Sequence, residues 1–344
     1  MRKIKRFSCV LMALPLFFGW GSVKKARADT ELPPAKAACV MELNSRRILY
    51  EHNGEAQLPM ASTTKILTAI SVLESGKELD EPFEIPVQAE GVEGSSVYLK
   101  AGDSFSAREL LYGLMLRSGN DCAVALALYT SGSMEEFASL MNATAARAGA
   151  LSSHFTNPHG LPQKGHYTTA RDLNLITCYA LQSTQFRQIV STQYYRQHNW
   201  KNKNKMLYTY EGALGVKTGY TKEAGRCLVS AAEREEMTLV CTVLNCSDTY
   251  GYSAKLLDDS FAAYHYVRLL GADTPVRVVS GGKVFSGCVG EDLRYPLLKE
   301  EKAYLKMEVV PNKDARKQKK GEIIGQIKIF LINRLLFSRN LYKL

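Results

Sequence analysis

Three short motifs in this 344-residue chain combine side chains that can perform nucleophilic catalysis. They are Ser62-Thr63-Thr64-Lys65, Ser118-Gly119-Asn120 and Lys217-Thr218-Gly219. A serine hydroxyl is a poor nucleophile until a neighbouring base takes its proton. An amine can be that base only if burial or nearby positive charge keeps part of it neutral. The residue types therefore indicate a Ser62 nucleophile with Lys65 as its base, and Lys217 as the second cation.

The position of each motif carries more information than its letters. Ser-x-x-Lys occurs twice more, at Ser22 and Ser280, whereas Lys-Thr-Gly is unique. A helical pattern begins at Ser62 and ends before Gly76, so Lys65 lies three residues on, on the same helix face as Ser62. The start of that helix also supplies backbone N–H groups that can stabilise an oxyanion.

The elements that position these motifs predict an α+β fold, an antiparallel sheet flanked by helices. Strands are predicted at residues 37–43, 47–50, 213–220, 226–232 and 238–244. Helices are predicted at residues 62–74, after capping boxes at Ser106 and Ser133, and at residues 170–181 and 252–270. From about Thr274 the chain turns to short Val/Ile-rich runs broken by Gly and Pro, which are typical of a small all-β domain.

The N-terminus has the layout of a secretory signal peptide. Four basic residues near the start are followed by an apolar run from Phe7 to Trp20 and by Ala26-Arg27-Ala28, a small-x-small cleavage pattern. The apolar run is too short to span a bilayer comfortably. We therefore expect a signal peptide at 1–28, a catalytic domain at 29–272 and a β-rich C-terminal domain at 273–344, in a protein located outside the cytoplasm.

The positive charge of the chain is concentrated at its two ends. The formal net charge is +10, of which residues 1–28 contribute seven basic and no acidic side chains, which leaves +3 for the rest. Residues 311–344 hold nine basic and two acidic residues, so residues 29–310 carry a net charge of −4. A nucleic-acid partner is not expected, because the body has no basic stripe. The basic tail fits either a solvated Lys-rich turn or contact with anionic lipid or wall polymer.

The cysteines predict buried thiols rather than a disulfide framework. Beyond Cys9 the chain has an odd number, with no Cys-x-x-Cys, and most lie in apolar stretches: Cys39, Cys122, Cys178, Cys227, Cys241, Cys246 and Cys288. No HExxH motif or ligand-spaced Cys/His set is present, so no metal site is predicted.

The three motifs together resemble the set found in active-serine penicillin-recognising enzymes. The longer strings are similar to low-molecular-mass D-alanyl-D-alanine carboxypeptidases, penicillin-binding peptidases of the S11 type, from about residue 35 to residue 270. These strings are Leu58-Pro-Met-Ala-Ser-Thr-Thr-Lys65, Ser118-Gly-Asn-Asp-Cys-Ala-Val-Ala-Leu-Ala127, Asn157-Pro-His-Gly-Leu161, Gly215-Val-Lys-Thr-Gly-Tyr-Thr221 and Ala224-Gly-Arg-Cys-Leu-Val-Ser-Ala231. The resemblance implies a β-lactamase/transpeptidase-like fold with a small β module after it, and no metal or organic cofactor.

The resemblance also implies catalytic roles. Ser62 would attack the carbonyl between two D-alanines to form an acyl-enzyme, with Lys65 accepting its proton. Ser118 and Asn120 would relay protons and hold the substrate amide. Water would then release a peptide shortened by one residue. The implied partners are peptidoglycan stem peptides that end in D-Ala-D-Ala, with β-lactam antibiotics as covalent inhibitors, in a protein of cell-wall biogenesis.

For substrate binding, the resemblance implies that Lys217 and Thr218 recognise the terminal carboxylate. The implied substrate site also includes Gly219 and Tyr220, and the backbone amides of Ser62 and Tyr220 would form the oxyanion hole.

One position and one segment depart from the family pattern. Several relatives carry an arginine near the substrate carboxylate on the last long helix, and the alignment places Tyr252 there. Arg226 either takes over that task or is a strand-surface residue. The second departure is the C-terminus, which in relatives often ends in a membrane-lying amphipathic helix. Residues 323–344 fit such a helix and fit equally a hairpin that turns near Asn333-Arg334.

The sequence leaves several alternative functions to be weighed. A class A β-lactamase would need a glutamate where this chain has Ala170, three residues before Leu173-Asn174, so we expect inhibition by penicillin rather than its destruction. A silent wall-binding protein should have lost Ser62, Lys65 or Lys217, and none is lost. Endopeptidase or transpeptidase action with the same nucleophile is an alternative. In Asn157-Pro-His-Gly-Leu161, the histidine fits a structural role better than that of a general base.

Overall fold

The computed structural model describes residues 35–344, and the predicted signal peptide lies outside the described residues. The strands of the first half are β1 (Ala37–Glu42), β2 (Ile48–His52), β3 (Pro82–Glu84), β4 (Ser104–Ser106), β5 (Tyr194–Tyr195), β6 (Trp200–Lys201), β7 (Ala213–Thr221), β8 (Gly225–Arg234) and β9 (Met237–Leu244). Those that follow are β10 (Tyr264–Leu270), β11 (Val276–Ser280), β12 (Lys283–Cys288), β13 (Leu293–Leu298), β14 (Leu305–Pro311), β15 (Ile323–Leu331) and β16 (Arg334–Lys343).

The helices lie mostly between β2 and β7. They are α1 (Lys65–Leu73), α2 (Ala107–Tyr112), α3 (Asn120–Ser131), α4 (Met134–Ala148), α5 (Ala170–Ala180), α6 (Thr184–Ser191), α7 (Met206–Thr209) and α8 (Thr249–Ala263). The predicted capping box at Ser106 is confirmed, because its side chain and that of Glu109 each accept the other's backbone N–H. At Ser133 the side chain accepts the N–H of Glu136. These caps fix where α2 and α4 begin.

An antiparallel sheet in the order β2-β1-β9-β8-β7 organises the catalytic half. Helices cover both faces of this sheet. Successive side chains of β1 point to opposite faces, so Cys39 and Met41 belong to one apolar cluster and Ala38 and Val40 to another. The strands predicted from the sequence are all present, within one to two residues at most ends. The predicted α+β architecture is therefore confirmed, and β7 forms one edge of the sheet.

The C-terminal part is built from strands, as predicted. Strands β11-β12-β16-β15-β14 form a five-stranded sheet, and β10 pairs with β13. The helix predicted at residues 252–270 is wrong in its second half, since α8 ends at Ala263 and residues 264–270 form β10. Tyr264, His265, Tyr266 and Val267 are mostly strand-forming residue types, and their partner strand lies about 30 residues later in the sequence, where no local pattern can reveal it. The division at residues 272 and 273 stays a prediction.

The end of the chain forms a hairpin, not an amphipathic helix. Strands β15 and β16 pair in antiparallel fashion, with Leu331 opposite Arg334 at the turn. Of the two interpretations of residues 323–344, the hairpin is confirmed. In the described part of the chain, no helix combines the length and the apolar character required to cross a bilayer.

The cysteines of residues 35–344 form no disulfide bonds with one another, as predicted. Six are buried and Cys288 is half-buried. Burial raises the pKa of several of these thiols, that of Cys39 to about 12 and that of Cys227 to about 11. They therefore pack as small apolar side chains.

Candidate active site

Ser62 lies in a tight turn that immediately precedes α1. Residues Ala61–Thr64 form a single 3₁₀ turn, and the α-helix begins only at Lys65. The sequence predicts an α-helix from Ser62 onward, so the helix start is displaced by three residues. Ala61 has a φ of 50°, a value rare for a residue with a side chain, and such backbone strain is common at functional sites. The spacing of three still puts the Lys65 side chain beside Ser62.

The Lys65 amine is fully buried and makes three polar contacts. Its Nζ is 2.9 Å from Ser62 Oγ, 2.6 Å from Asn120 Oδ1 and 2.6 Å from the backbone oxygen of His159. Burial, and then the positive charge of Lys217, hold the pKa of Lys65 well below its usual value. The arrangement has the geometry of a hydroxyl nucleophile in contact with a base.

Lys217 approaches the same centre from the edge strand β7. It is 2 % exposed, and its Nζ donates to the backbone oxygen of Thr218 at 2.9 Å. Burial, and then the charge of Lys203, lower the pKa of Lys217 to about 7. Strand β7 lies directly against the turn that carries the nucleophile. A Cβ on Gly219 would lie 3.0 Å from Met60 O and 3.1 Å from Ser62 N, so any larger residue would press β7 away from this turn.

The Ser-x-Asn motif joins two helical segments at the pocket. Ser118 ends a π-helical turn, Gly113–Arg117, in the left-handed region at φ 67°, and Asn120 begins α3. The Asn120 amide is oriented by its two partners, because Nδ2 donates to Glu93 O at 2.5 Å while Oδ1 accepts from Lys65. The three motifs predicted to form one site therefore converge on Lys65.

The cavity beside these residues has a volume of about 370 Å³. Among residues 35–344, no acidic side chain lines it. The predicted site residues in its lining are Ser62, Ser118, Thr218, Gly219, Tyr220 and Arg226, and the lining is completed by Ser95, Lys203, Cys227, Thr249 and Tyr250. Lys65 and Asn120 lie beneath it, both buried. Such a cavity can receive a peptide end that carries a negative charge.

The position expected for Tyr252 is wrong. Tyr252 is buried in the apolar cluster between α8 and the sheet, and its hydroxyl is 3.0 Å from that of Tyr50. Thr249 and Tyr250, in the first turn of α8, line the cavity instead. Arg226 lies opposite Tyr220 in the β7–β8 pair, with its side chain on the same face, and also lines the cavity. Its predicted role in binding stays a prediction.

Lys203 is the charged residue among the cavity-lining residues that the sequence interpretation missed. It lies in Lys201-Asn202-Lys203-Asn204-Lys205, where the asparagines are buried and the lysines exposed. Its backbone is fixed by a hydrogen bond from its N–H to Leu116 O, and the Tyr250 hydroxyl donates to its oxygen. The alternation of Lys and Asn was the available signal for an extended segment with its ammonium groups on one side.

The interpretation of His159 as a structural residue agrees with its surroundings. Its Nδ1 accepts the N–H of Leu161 at 3.2 Å, and its backbone oxygen is a partner of Lys65. Burial, and then the charge of Lys65, lower the pKa of His159 to about 3, so its ring is neutral near pH 7.

The Leu173-Asn174 string holds helix α5 on the sheet. Asn174 is fully buried, donates to Cys39 O at 2.8 Å and accepts from Thr242 Oγ1 at 2.6 Å. Ala170, at the start of α5, is also fully buried and has no group that could activate water. The deacylating carboxylate of class A β-lactamases therefore has no counterpart at this position.

Comparison with known proteins points to one family. The family model of D-alanyl-D-alanine carboxypeptidases, peptidase S11, matches residues 24–248. The D-alanyl-D-alanine carboxypeptidase DacF of Bacillus subtilis is 34% identical over 244 residues, which are 67% of this chain and 63% of that protein. The aligned region thus spans less than two thirds of that relative's own length.

Two solved structures show the same fold. A variant of a Streptomyces DD-transpeptidase has a TM-score of 0.62 and 35% identity, covering 66% of this chain and 98% of its own. The D-alanyl-D-alanine carboxypeptidase DacD of Francisella tularensis has a TM-score of 0.66 and 26% identity, covering 95% of this chain and 98% of its own. The fold is that of the penicillin-binding and transpeptidase proteins, and this chain belongs to the D-alanyl-D-alanine carboxypeptidase family.

Proposed function

We propose that this protein is a serine carboxypeptidase that removes the terminal D-alanine from peptidoglycan stem pentapeptides. The observation that carries the proposal is the contact of 2.9 Å between Ser62 Oγ and the fully buried amine of Lys65, with Lys217 close enough to lower its pKa. A neutral amine in that position can accept the hydroxyl proton as Ser62 attacks.

Acylation involves two proton transfers, one from the Ser62 hydroxyl to Lys65 and one to the amine of the leaving D-alanine. Ser62 Oγ forms a bond to the carbonyl carbon of the penultimate D-alanine while its proton passes to Lys65. The C–N bond then breaks, and the proton reaches the leaving D-alanine amine through Ser118. Backbone N–H groups of Ser62 and Tyr220 stabilise the oxyanion. A water molecule later attacks the acyl carbon, the ester bond between that carbon and Ser62 Oγ breaks, and a proton of the water passes through Lys65 to Ser62 Oγ.

Positive charge at the cavity supports a substrate with a terminal carboxylate. Lys217 and Thr218 bind that carboxylate in the proposed complex, and Lys203 and Arg226 raise the local positive potential. Neither Lys203 nor Arg226 forms a salt bridge with a described residue. Cations without partners in a cavity free of acidic side chains favour binding of an anion.

The direct test is incubation with a defined pentapeptide wall fragment and analysis of the products by mass. The proposal predicts loss of one alanine residue, and no loss with Ser62→Ala. With an added amine acceptor, a product heavier than the substrate would indicate transpeptidation instead. Release of D-alanine at the same rate by both proteins would contradict the proposal.

Penicillin should acylate Ser62 and remain attached. The reason is that Ala170 stands where class A β-lactamases carry the glutamate with which they hydrolyse the penicillin acyl-enzyme. Rapid hydrolysis of penicillin by the wild-type protein would argue for a β-lactamase.

We also propose that the enzyme works outside the cytoplasm, at the wall or the outer face of the membrane, after removal of residues 1–28. The basic, apolar and small-residue order of that segment supports export. A mature N-terminus other than residue 29 in the exported protein would correct the cleavage position.

The proposal that the basic tail contacts the membrane or the wall is based on one surface loop. Lys313, Arg316, Lys317, Lys319 and Lys320 are all exposed there. Co-sedimentation with phosphatidylserine vesicles tests the contact, and equal sedimentation after Lys319→Gln and Lys320→Gln would contradict it.

A further inference from the structure

Asp121, next to the Ser-x-Asn motif, is a buried carboxylate that holds a neighbouring loop. It is 1 % exposed. Its Oδ2 accepts from Ser96 Oγ at 2.5 Å, Val97 N at 2.9 Å and Leu99 N at 3.2 Å. Its Oδ1 accepts from Cys122 N at 2.9 Å. A carboxylate that accepts this many hydrogen bonds is strongly held, and its partners are held in turn.

The loop that Asp121 holds is part of the cavity wall. Ser95 lines the cavity, and its backbone oxygen accepts the N–H of Asn120 at 2.7 Å. Glu93 O accepts from Asn120 Nδ2, the amide whose oxygen contacts Lys65. Residues 93–99 are therefore tied to the Ser-x-Asn motif at both ends, through Asn120 at one and Asp121 at the other.

The charge of Asp121 also acts on the base. The charged and titratable groups that act on Lys65 come from several elements: Lys217 from β7, Asp121 and Cys122 from α3, Lys203 from the segment after β6, and His159 from the loop after α4. Lys217 and Lys203 lower the pKa of Lys65, whereas Asp121 raises it. Asp121 is thus a buried negative charge that opposes the effect of the neighbouring cations.

We propose that Asp121 is a positioning residue of the acylation step, which fixes residues 93–99 as a wall of the cavity and balances the cations around Lys65. The kinetic part rests on the proposed function, because it concerns acylation of Ser62. The structural part rests on the hydrogen bonds alone. Asp121 touches neither Ser62 nor the cavity, so it acts through Asn120, Ser95 and Lys65.

The variant Asp121→Asn tests both parts. An asparagine has one acceptor oxygen, so at least one of the four donors would face its NH₂ group. The matched control is Asp172→Asn. Asp172 is also buried in the first turn of a helix and also holds a loop, accepting from Ser152 N and Ser153 Oγ at 2.7 Å each. Neither of those serines lines the cavity, whereas Ser95 of the loop held by Asp121 does.

Amide hydrogen exchange measures the wall independently of activity. An asparagine oxygen at the Oδ2 position would still accept from Val97 and Leu99, but without the negative charge these hydrogen bonds are weaker. We therefore expect exchange at Val97 and Leu99 to be about tenfold faster in Asp121→Asn and unchanged in Asp172→Asn. Unchanged exchange in Asp121→Asn would overturn the structural part, whether or not the protein is an enzyme.

The pH profile of penicillin acylation measures the effect on the base. The acylation rate rises with pH as Lys65 loses its proton, and this rise is the acid limb of the profile. In Asp121→Asn the acid limb should move to lower pH, because removal of the negative charge makes Lys65 easier to deprotonate. Ser96→Ala removes the hydrogen bond to Asp121 and the one that Ser96 Oγ accepts from Tyr98 N, but it keeps the charge of Asp121. It should therefore speed exchange without shifting the pH profile, and it replaces Asp121→Asn as the test if that variant does not fold.

The outcomes separate the proposals. The proposed effect of Asp121 on Lys65 is overturned if the acid limb of penicillin acylation stays in place in Asp121→Asn, or moves equally in Asp172→Asn. Absence of acylation in the wild type contradicts the proposed function instead, and hydrogen exchange then decides the structural part.

Discussion

At the scale of single residues, the contacts of Lys65 favour the neutral amine that a general base must be. Asn120 Oδ1 and His159 O can only accept hydrogen bonds. A neutral amine has two N–H bonds to donate to them, and its lone pair is then left for the hydroxyl of Ser62. The orientation of the Asn120 amide is fixed by its second partner, Glu93 O. The site therefore prepares the base before substrate arrives.

The two buried lysines predict a bell-shaped dependence of kcat/KM on pH. Lys65 must be neutral to act as the base, so the rate rises as pH increases through its pKa, which lies well below the usual value. Lys217 must be charged to bind a carboxylate, and its pKa is about 7, so kcat/KM should fall as pH rises above about 7. The enzyme has a working pH range where Lys65 is neutral while Lys217 is still charged.

The variant Lys217→Arg distinguishes the acid limb of the pH profile, assigned to Lys65, from the alkaline limb, assigned to Lys217. A guanidinium stays charged at every pH of interest, so the variant should lose the alkaline limb and keep the acid limb. Measurement of kcat/KM against pH for both proteins checks this. An alkaline limb unchanged in the variant would show that it belongs to another group.

The sequence predicted that the side chains of Ser62 and Lys65 lie together, because their spacing is local. Ser62 and Lys65 lie within one turn, so their proximity follows from the helix period. Lys203 and Ser95 come to the cavity only through tertiary packing, and no local pattern marks Ser95. Tyr252 was assigned to the cavity because an alignment cannot show which face of a helix is buried.

At the scale of elements, helix α5 shows how a polar residue positions a helix on a sheet. Asn174 joins α5 to β1 through Cys39 O and to β9 through Thr242. The sheet and the capped helices were predictable, since hydrophobic periodicity and caps are local signals. Strand β10 was not, because its pairing with β13 is a contact distant in sequence.

Asn174→Ala should destabilise the fold and leave the chemistry in place. Two buried groups would lose their partner, which predicts a loss of about 2–4 kcal/mol in the free energy of unfolding. Urea unfolding measures the loss, and penicillin labelling of the folded variant should proceed at the wild-type rate. Asn340→Ala, at a half-exposed position on β16, is the control, with an expected change under about 0.5 kcal/mol. A larger effect on labelling than on stability would assign Asn174 to the reaction.

At the scale of the whole molecule, Arg47 joins the catalytic sheet to the C-terminal strands. It forms a bidentate salt bridge with Glu301 and donates to Pro296 O at 2.7 Å. Its guanidinium also lies 5.0 Å from the ring centre of Tyr264 and 5.3 Å from that of Tyr295. Both charged side chains of the pair are only 12% exposed, so the pair is well shielded from water.

Arg47→Ala should therefore loosen the C-terminal strands. Removal of one partner from a largely buried pair predicts a loss of about 2–4 kcal/mol and faster proteolysis in residues 273–344. Arg108→Ala breaks a bidentate pair with Asp80, whose side chain is 72% exposed, and should change stability little. Equal effects of the two variants would contradict a joining role for Arg47.

Ser62 becomes a nucleophile because Lys65 takes its proton. Peptide mass mapping after incubation with penicillin tests this proton transfer. We expect one penicillin per chain, on the peptide that contains Ser62, and none on Ser62→Ala. Labelling should be slowed by about 10²–10⁴-fold in Lys65→Arg, which keeps the charge but cannot act as a base. Attachment at another residue, or labelling of Lys65→Arg at the wild-type rate, would contradict it.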